Sequence, residues 1–152
     1  MEAYQQERFN QKIGTVHFIQ DNEVHSRLGV IRGLHFQKGK NAQAKLVRVT
    51  QGNIIDIVVD LRSFSSTYMQ SFRIELSAEN KQQLFVPKGF AHGYAVISES
   101  ATVLYKVDAP YAPEAEGGIS PRDPYFSFDW GVPTAQQHIQ ERDLNWPKHV
   151  KA

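Results

Sequence analysis

Apolar and polar positions alternate in short runs along most of the chain, and turn-forming residues separate the runs. The clearest run is 71–77, where Phe72, Ile74 and Leu76 fall on one face and Arg73 and Glu75 on the other. A period of two is that of a half-buried strand. Residues 44–50 alternate in the same way, and 53–61 are rich in Ile and Val, as a buried strand should be. Gln51-Gly52 stands between them where a two-residue hairpin turn is expected. Further strands are predicted over 83–86, 94–98 and 102–107, and a short one over 15–20. Residues 21–29 are polar and read as loop, as do 63–67 and the turn cluster Lys38-Gly39-Lys40-Asn41. Residues 2–13 predict a short helix or an irregular lead-in ending at Gly14. After Asp108, Pro and Gly accumulate and the chain becomes loop-rich, with one short helix within 134–143. Many short strands with frequent turns predict an all-β sandwich or barrel, and a small barrel can hold one ligand in its mouth.

Composition narrows the function without naming it. The 152 residues suit a single domain over 1–152 with a core of its own. Seventeen basic against 16 acidic residues leave a net charge of +1, which gives no long-range pull toward nucleic acid or a membrane surface. A small anion needs only a local basic patch. The absence of cysteine excludes disulfides, thiolate metal sites and cysteine nucleophiles. The polar start lacks a signal-peptide layout, and no run approaches the roughly 18 apolar residues of a membrane span. A cytoplasmic protein is expected.

The stretch Val30-Ile31-Arg32-Gly33-Leu34-His35-Phe36-Gln37 carries the first candidate chemistry. A strand pointing Arg32 and His35 into a pocket would supply an anion clamp and a titratable base. A second histidine, His92, lies in Pro87-Lys88-Gly89-Phe90-Ala91-His92-Gly93. This P-x-G-x-x-H pattern, between two predicted strands, resembles the second motif of the cupin barrels. Metal cupins carry an H-x-H pair in the first motif. Here Gln37 follows His35 by two residues and no H-x-H occurs in the chain, so no metal site is expected. Lys45 shares a face with Val47 and Val49, and Tyr105 with Val103 and Val107, so both are expected to point inward. A buried ammonium needs a partner there, either a ligand oxygen or a structural carboxylate. Asp143, in Glu141-Arg142-Asp143, reads locally as a surface charge.

Taken together, the chain resembles the dTDP-4-dehydrorhamnose 3,5-epimerase family, the metal-free sugar-epimerase cupins. The likeness covers about residues 18–147. Its blocks are Phe18-Ile19-Gln20-Asp21-Asn22, the stretch from Gly29 to Gln37, Lys45-Leu46-Val47-Arg48-Val49, Asp60-Leu61-Arg62, the stretch from Pro87 to Gly93, Leu104-Tyr105-Lys106 and Asp129-Trp130. The resemblance implies a double-stranded β-helix, the cupin jelly-roll barrel, with short peripheral helices. It implies His35 as the base that removes protons at C3 and C5 of a 4-keto sugar, with Asp143 orienting it. Tyr105 would be the acid on the opposite face and Lys45 the cation beside the C4 oxygen. Arg32, Gln20 and Asn22 would contact the nucleotide sugar, with His92, Tyr111 and Glu116 at further pocket positions.

The implied reaction is inversion of C3 and C5 of dTDP-4-dehydro-6-deoxy-D-glucose, giving dTDP-4-dehydro-L-rhamnose without cofactor or metal. The implied partners are the dTDP-linked keto sugar and a second copy in a homodimer. Elementary chemistry agrees with the residue set. A proton α to a ketone is lost readily only if the enolate oxygen is stabilised, and inversion needs a base and an acid on opposite faces. Epimerisation of one carbon, or of another nucleoside-diphosphate keto sugar, would use the same groups. A non-catalytic nucleotide-sugar-binding cupin would not need the whole set, and a metal dioxygenase-type cupin is opposed by Gln37. The chain departs from the family pattern in three places. Met1-Glu2 falls near the end of the region where the family carries a D-x-R-G-x-F-like motif and strands reaching into a dimer partner. Pro121 and Arg122 stand where tryptophan and asparagine are usual, and Gly131 where proline is usual.

Overall fold

The computed structural model describes residues 1–149, so 150–152 of the expected single domain lie outside the described residues. A helix, α1 (Gln6–Ile13), precedes ten strands: β1 (Gln20–Arg27), β2 (Val30–Gln37), β3 (Lys45–Gln51), β4 (Asn53–Asp60), β5 (Ser71–Ser77), β6 (Gln83–Val86), β7 (Phe90–Val96), β8 (Ser100–Val107), β9 (Glu116–Gly118) and β10 (His138–Ile139). A one-turn helix, α2 (Glu141–Leu144), follows. The strands form a four-stranded sheet in the order β1-β8-β3-β6 and a six-stranded sheet in the order β10-β2-β7-β4-β5, with β9 also paired to β2. Every pairing is antiparallel except that of β10 with β2. Two sheets between which the chain passes back and forth make the jelly roll expected from the resemblance.

Apolar residues sort into two cores. Val47 and Val49 of β3 and Val103 of β8 meet Ile54 and Val58 of β4 and Val96 of β7 between the sheets. Ile55, Ile57 and Val59, the other face of β4, pack under the loop that carries Ile119, Trp130 and Val132. The largely apolar run of 53–61, interrupted by Asp56 and Asp60, therefore reflects a strand buried on both faces. Outside the four-stranded sheet, Phe9 of α1 packs edge-on against Phe18 and Phe85 and at a tilt against Tyr4.

The structure corrects the sequence reading at four places. Residues 15–19 are not a strand, and most of the predicted loop 21–29 is β1. Its inward residues Gln20, Asn22 and Val24 line a polar cleft, while Asp21, Glu23 and His25 are exposed. Neither face is apolar, so the usual alternation is missing. Gln51-Gly52 does not close a hairpin, because β3 and β4 belong to different sheets. Gly52 turns the chain from one sheet to the other at φ 72°, where a Cβ would run into the Ser100 carbonyl. Phe72 is 54% exposed, since β5 is the outermost strand and pairs only with β4. Finally, 134–143 holds a 3-10 turn, β10 and the start of α2 rather than one helix.

Candidate active site

A cleft of about 430 Å³ opens between the sheets. All ten residues singled out from the sequence line it: Gln20, Asn22, Arg32, His35, Lys45 and His92, with Tyr105, Tyr111, Glu116 and Asp143. A local irregularity in β2 makes this possible. Strict alternation would send positions 32 and 35 to opposite faces. The pairing of β2 with β7 shifts register between Arg32 and His35, and such a bulge re-aims the side chains that follow. Gly33 permits it: φ is 103°, and a Cβ there would lie 2.6 Å from the His92 carbonyl.

His35 Nε2 lies 2.7 Å from Asp143 Oδ1. Asp143 is 1% exposed, which corrects its local reading as a surface charge. The chain brings it in through the parallel pairing of His138 with Val30 and Ile139 with Ile31, which sets α2 beside β2. Burial alone would raise its carboxyl. The hydrogen bond and charge of His35, the Gly33 N–H at 3.3 Å and the charge of Arg142 outweigh burial and hold it below the usual carboxylate range. An ionised carboxylate only accepts hydrogen bonds. Nε2 of His35 therefore donates to Asp143, and whenever the imidazole is neutral the lone pair falls on Nδ1.

A second carboxylate–imidazole pair lies beside the first. His92, the register partner of His35 on β7, has Nε2 3.0 Å from Asp56 Oδ2 on β4. Their side chains are 8% and 0% exposed. Asp56 was missed by sequence reasoning, although an aspartate on the inward face of an otherwise apolar strand is itself a signal. Lys45 faces the same space from β3. Burial lowers the pKa of its ammonium group, and the charges of Asp56 and Glu116 pull it back up. Tyr105 stands on β8 of the four-stranded sheet. Burial raises its hydroxyl above the ordinary value against the pull of Arg32, so it is protonated at neutral pH. Tyr94, also missed, is pushed up to about 12, mainly by burial.

On β2, the Arg32 guanidinium donates to Ser26 Oγ from Nε and a terminal nitrogen at 3.2 and 3.1 Å. Gln20 Nε2 donates to Asn22 Oδ1 at 2.8 Å. At the rim, Tyr111 donates to Glu116 Oε2 at 3.2 Å, and Arg142 donates to the same oxygen at 3.3 Å. Arg142 and Gln140 also line the cleft and were missed. Gln37 has a structural task. Its amide nitrogen donates to the carbonyls of Asn41 and Pro110, and its oxygen accepts from the Ala112 N–H.

The model of the dTDP-4-dehydrorhamnose 3,5-epimerase family matches residues 1–150. The chain belongs to this family. A dTDP-4-dehydrorhamnose 3,5-epimerase of Salmonella typhimurium is 48% identical over 130 residues, 85% of this chain and 71% of that protein. The crystal structure of the Elizabethkingia anophelis enzyme of the same name superposes with a TM-score of 0.94 at 47% identity, covering 97% of this chain and 81% of the other. A Legionella pneumophila dTDP-6-deoxy-D-glucose-3,5-epimerase, solved with dTDP-4-keto-L-rhamnose, gives a TM-score of 0.88 at 38% identity over 99% and 85%.

Within this epimerase family, the outer core tolerates one of the unusual positions, and backbone geometry explains another. The Pro121 carbonyl accepts the buried Trp130 indole N–H at 2.9 Å, a backbone contact that does not depend on the side chain. Gly131 has φ 68°, which proline cannot adopt. Neither residue lines the cleft. The structure gives no reason for Arg122.

Proposed function

We propose that the protein inverts C3 and C5 of dTDP-4-dehydro-6-deoxy-D-glucose to give dTDP-4-dehydro-L-rhamnose. The observation that carries this reading is that His35 and Tyr105 line one cleft from opposite sheets, with Lys45 in the same cleft. His35 Nδ1 takes the proton α to the C4 ketone. The electron pair moves onto the C4 oxygen, and Lys45, aided by His92, stabilises the enolate. Tyr105 then delivers its proton to the opposite face of the carbon. Each inversion leaves His35 protonated and Tyr105 ionised, and proton exchange with water in the open cleft resets both. Arg32 grips the diphosphate, while Gln20, Asn22, Tyr111 and Glu116 contact the rest of the nucleotide sugar. Relatives bearing this enzyme name, at up to 48% identity among those described above, support the assignment.

The chain acts as one cupin-type domain over 1–152, without cofactor or metal and with no nucleic-acid or membrane partner. A homodimer is the assembly we propose, because β1 and β5 are open sheet edges of the kind a partner covers. Among the described residues no helix is long and apolar enough to cross a membrane, and we place the enzyme in the cytoplasm. The test is NMR of the keto sugar with purified protein in deuterated water. Deuterium entering both C3 and C5 supports double inversion. Exchange at one carbon would make the protein a single-site epimerase, and no exchange above the buffer control would leave a binding cupin.

A further inference from the structure

Trp146 follows Asp143 by three residues and is not among the residues lining the cleft. It stands beside His35. Its indole meets the His35 imidazole edge-on, with ring centroids 6.4 Å apart and planes at 70°. The same indole covers Gly118 so closely that a Cβ there would collide with its ring. Gly118 is the register partner of His35 on β9. The ring therefore fills the space beside the imidazole on the β9 side. The segment carrying it is fastened at both ends. Before it, Asp143 bonds His35 and the Gly33 N–H. After it, the His149 N–H donates to Asp123 Oδ2 at 2.9 Å, and His149 Nδ1 lies 2.9 Å from the same oxygen.

We propose that Trp146 is a positioning residue: it wedges the His35 imidazole against Asp143 and keeps water off its β9 side. The proposal deepens the epimerase reading and rests on His35 being its base. One hydrogen bond to Asp143 leaves the imidazole free to pivot about that contact. The neighbouring ring removes the pivot, and Nδ1 stays aimed into the cleft. The other charged or titratable groups around His35 are Asp143 and Arg142 in α2, Glu116 on β9, His92 on β7 and Arg32 on β2, with Lys45 and Tyr105 across the cleft. None of them occupies the place of the indole.

The test joins kinetics to a tautomer measurement on histidine labelled with 15N, with the His35 signals among the six histidines identified by their loss in His35→Asn. Wild type should show the Nε2–H tautomer of His35. In Trp146→Ala this should relax toward a mixture, with kcat down about ten- to a hundredfold and KM little changed. Trp146→Phe, which keeps a flat ring, should restore much of both. Gly118→Ala offers an independent approach that leaves Trp146 in the sequence but displaces its indole. It should reproduce Trp146→Ala, and combining the two should add little. An unchanged His35 tautomer in both Trp146→Ala and Gly118→Ala would overturn the proposal, even if both were slower. If wild type itself exchanged no deuterium into the keto sugar, the epimerase reading would fail, while the tautomer measurement would still decide whether Trp146 holds His35.

Discussion

Two carboxylate–imidazole pairs sit side by side across the ladder between β2 and β7, and they are built differently. His92 and Asp56 come from adjacent strands 36 residues apart in sequence and are almost wholly enclosed. His35 and Asp143 are 108 residues apart; the carboxylate is buried, but the imidazole side chain is 23% exposed. The enclosed pair is part of the sheet and supplies a fixed charge near Lys45. The other pair has its imidazole facing the cleft and its carboxylate on a tail segment, the access that the proposed proton exchange with substrate and water requires. One residue type thus serves two ends, and the difference lies in access to solvent and in how each carboxylate is anchored.

Breaking the open pair should have the largest effect. His35→Ala should abolish deuterium exchange at both carbons, and Asp143→Asn should lower kcat by about 10³- to 10⁴-fold, because the amide no longer fixes the Nε2–H tautomer or balances the imidazolium. Proton-exchange NMR and steady-state rates check both.

Breaking the enclosed pair should cost less. Asp56→Asn should slow the reaction by roughly ten- to a hundredfold, the equivalent of about 1.4–2.8 kcal/mol of enolate stabilisation. It should also move the alkaline limb of kcat/KM to lower pH. The sign follows from Lys45: Asp56 holds its pKa up, so removing that charge lets the ammonium lose its proton sooner. Glu116→Gln should shift the same limb in the same direction by less, since its contribution to Lys45 ranks below that of Asp56. A pH–rate profile for each variant separates the two contributions.

The smallest effect on catalysis should come from a third buried carboxylate, outside the cleft. Asp60 accepts from Arg62 at 2.9 and 2.8 Å, and that contact holds its carboxyl well below the usual range. Its folded pKa lies below its unfolded value of about 3.9, so its stabilising share is present above about pH 4 and is lost as pH falls through the folded value. Asp60→Asn should lower the thermal midpoint at neutral pH and flatten the loss of stability on acidification, with kcat little changed. Unfolding curves at several pH values check this.

The strands with one apolar face were legible because burial writes a period of two into the sequence, as in β3 and β8. β1 was not legible, because its inward face meets a polar cleft and its outward face meets water. Nor was the change of sheet at Gly52, since a turn that closes a hairpin and a bend that leaves a sheet use the same residue. In the cleft, Arg32, His35 and His92 stood out by type and motif. Asp143 did not: its partner lies 108 residues away, and its own neighbours look like a solvated helix end. Asp56 lay hidden in an apolar run, where it went unweighed as a buried charge.

Gln37 bears on how such a barrel changes its chemistry over time. It occupies the place where a metal-binding cupin carries a second histidine, yet three of its amide's hydrogen-bonding positions already join Asn41, Pro110 and Ala112. An imidazole offers two nitrogens, and a metal would claim one of them. Exchange of this glutamine for histidine would leave at least two backbone groups without partners, each at about 1–3 kcal/mol where buried. The route from this scaffold to a metalloenzyme therefore needs the loop at 110–112 rebuilt together with the ligand, and a lone substitution at this position would meet a stability barrier before it met a metal.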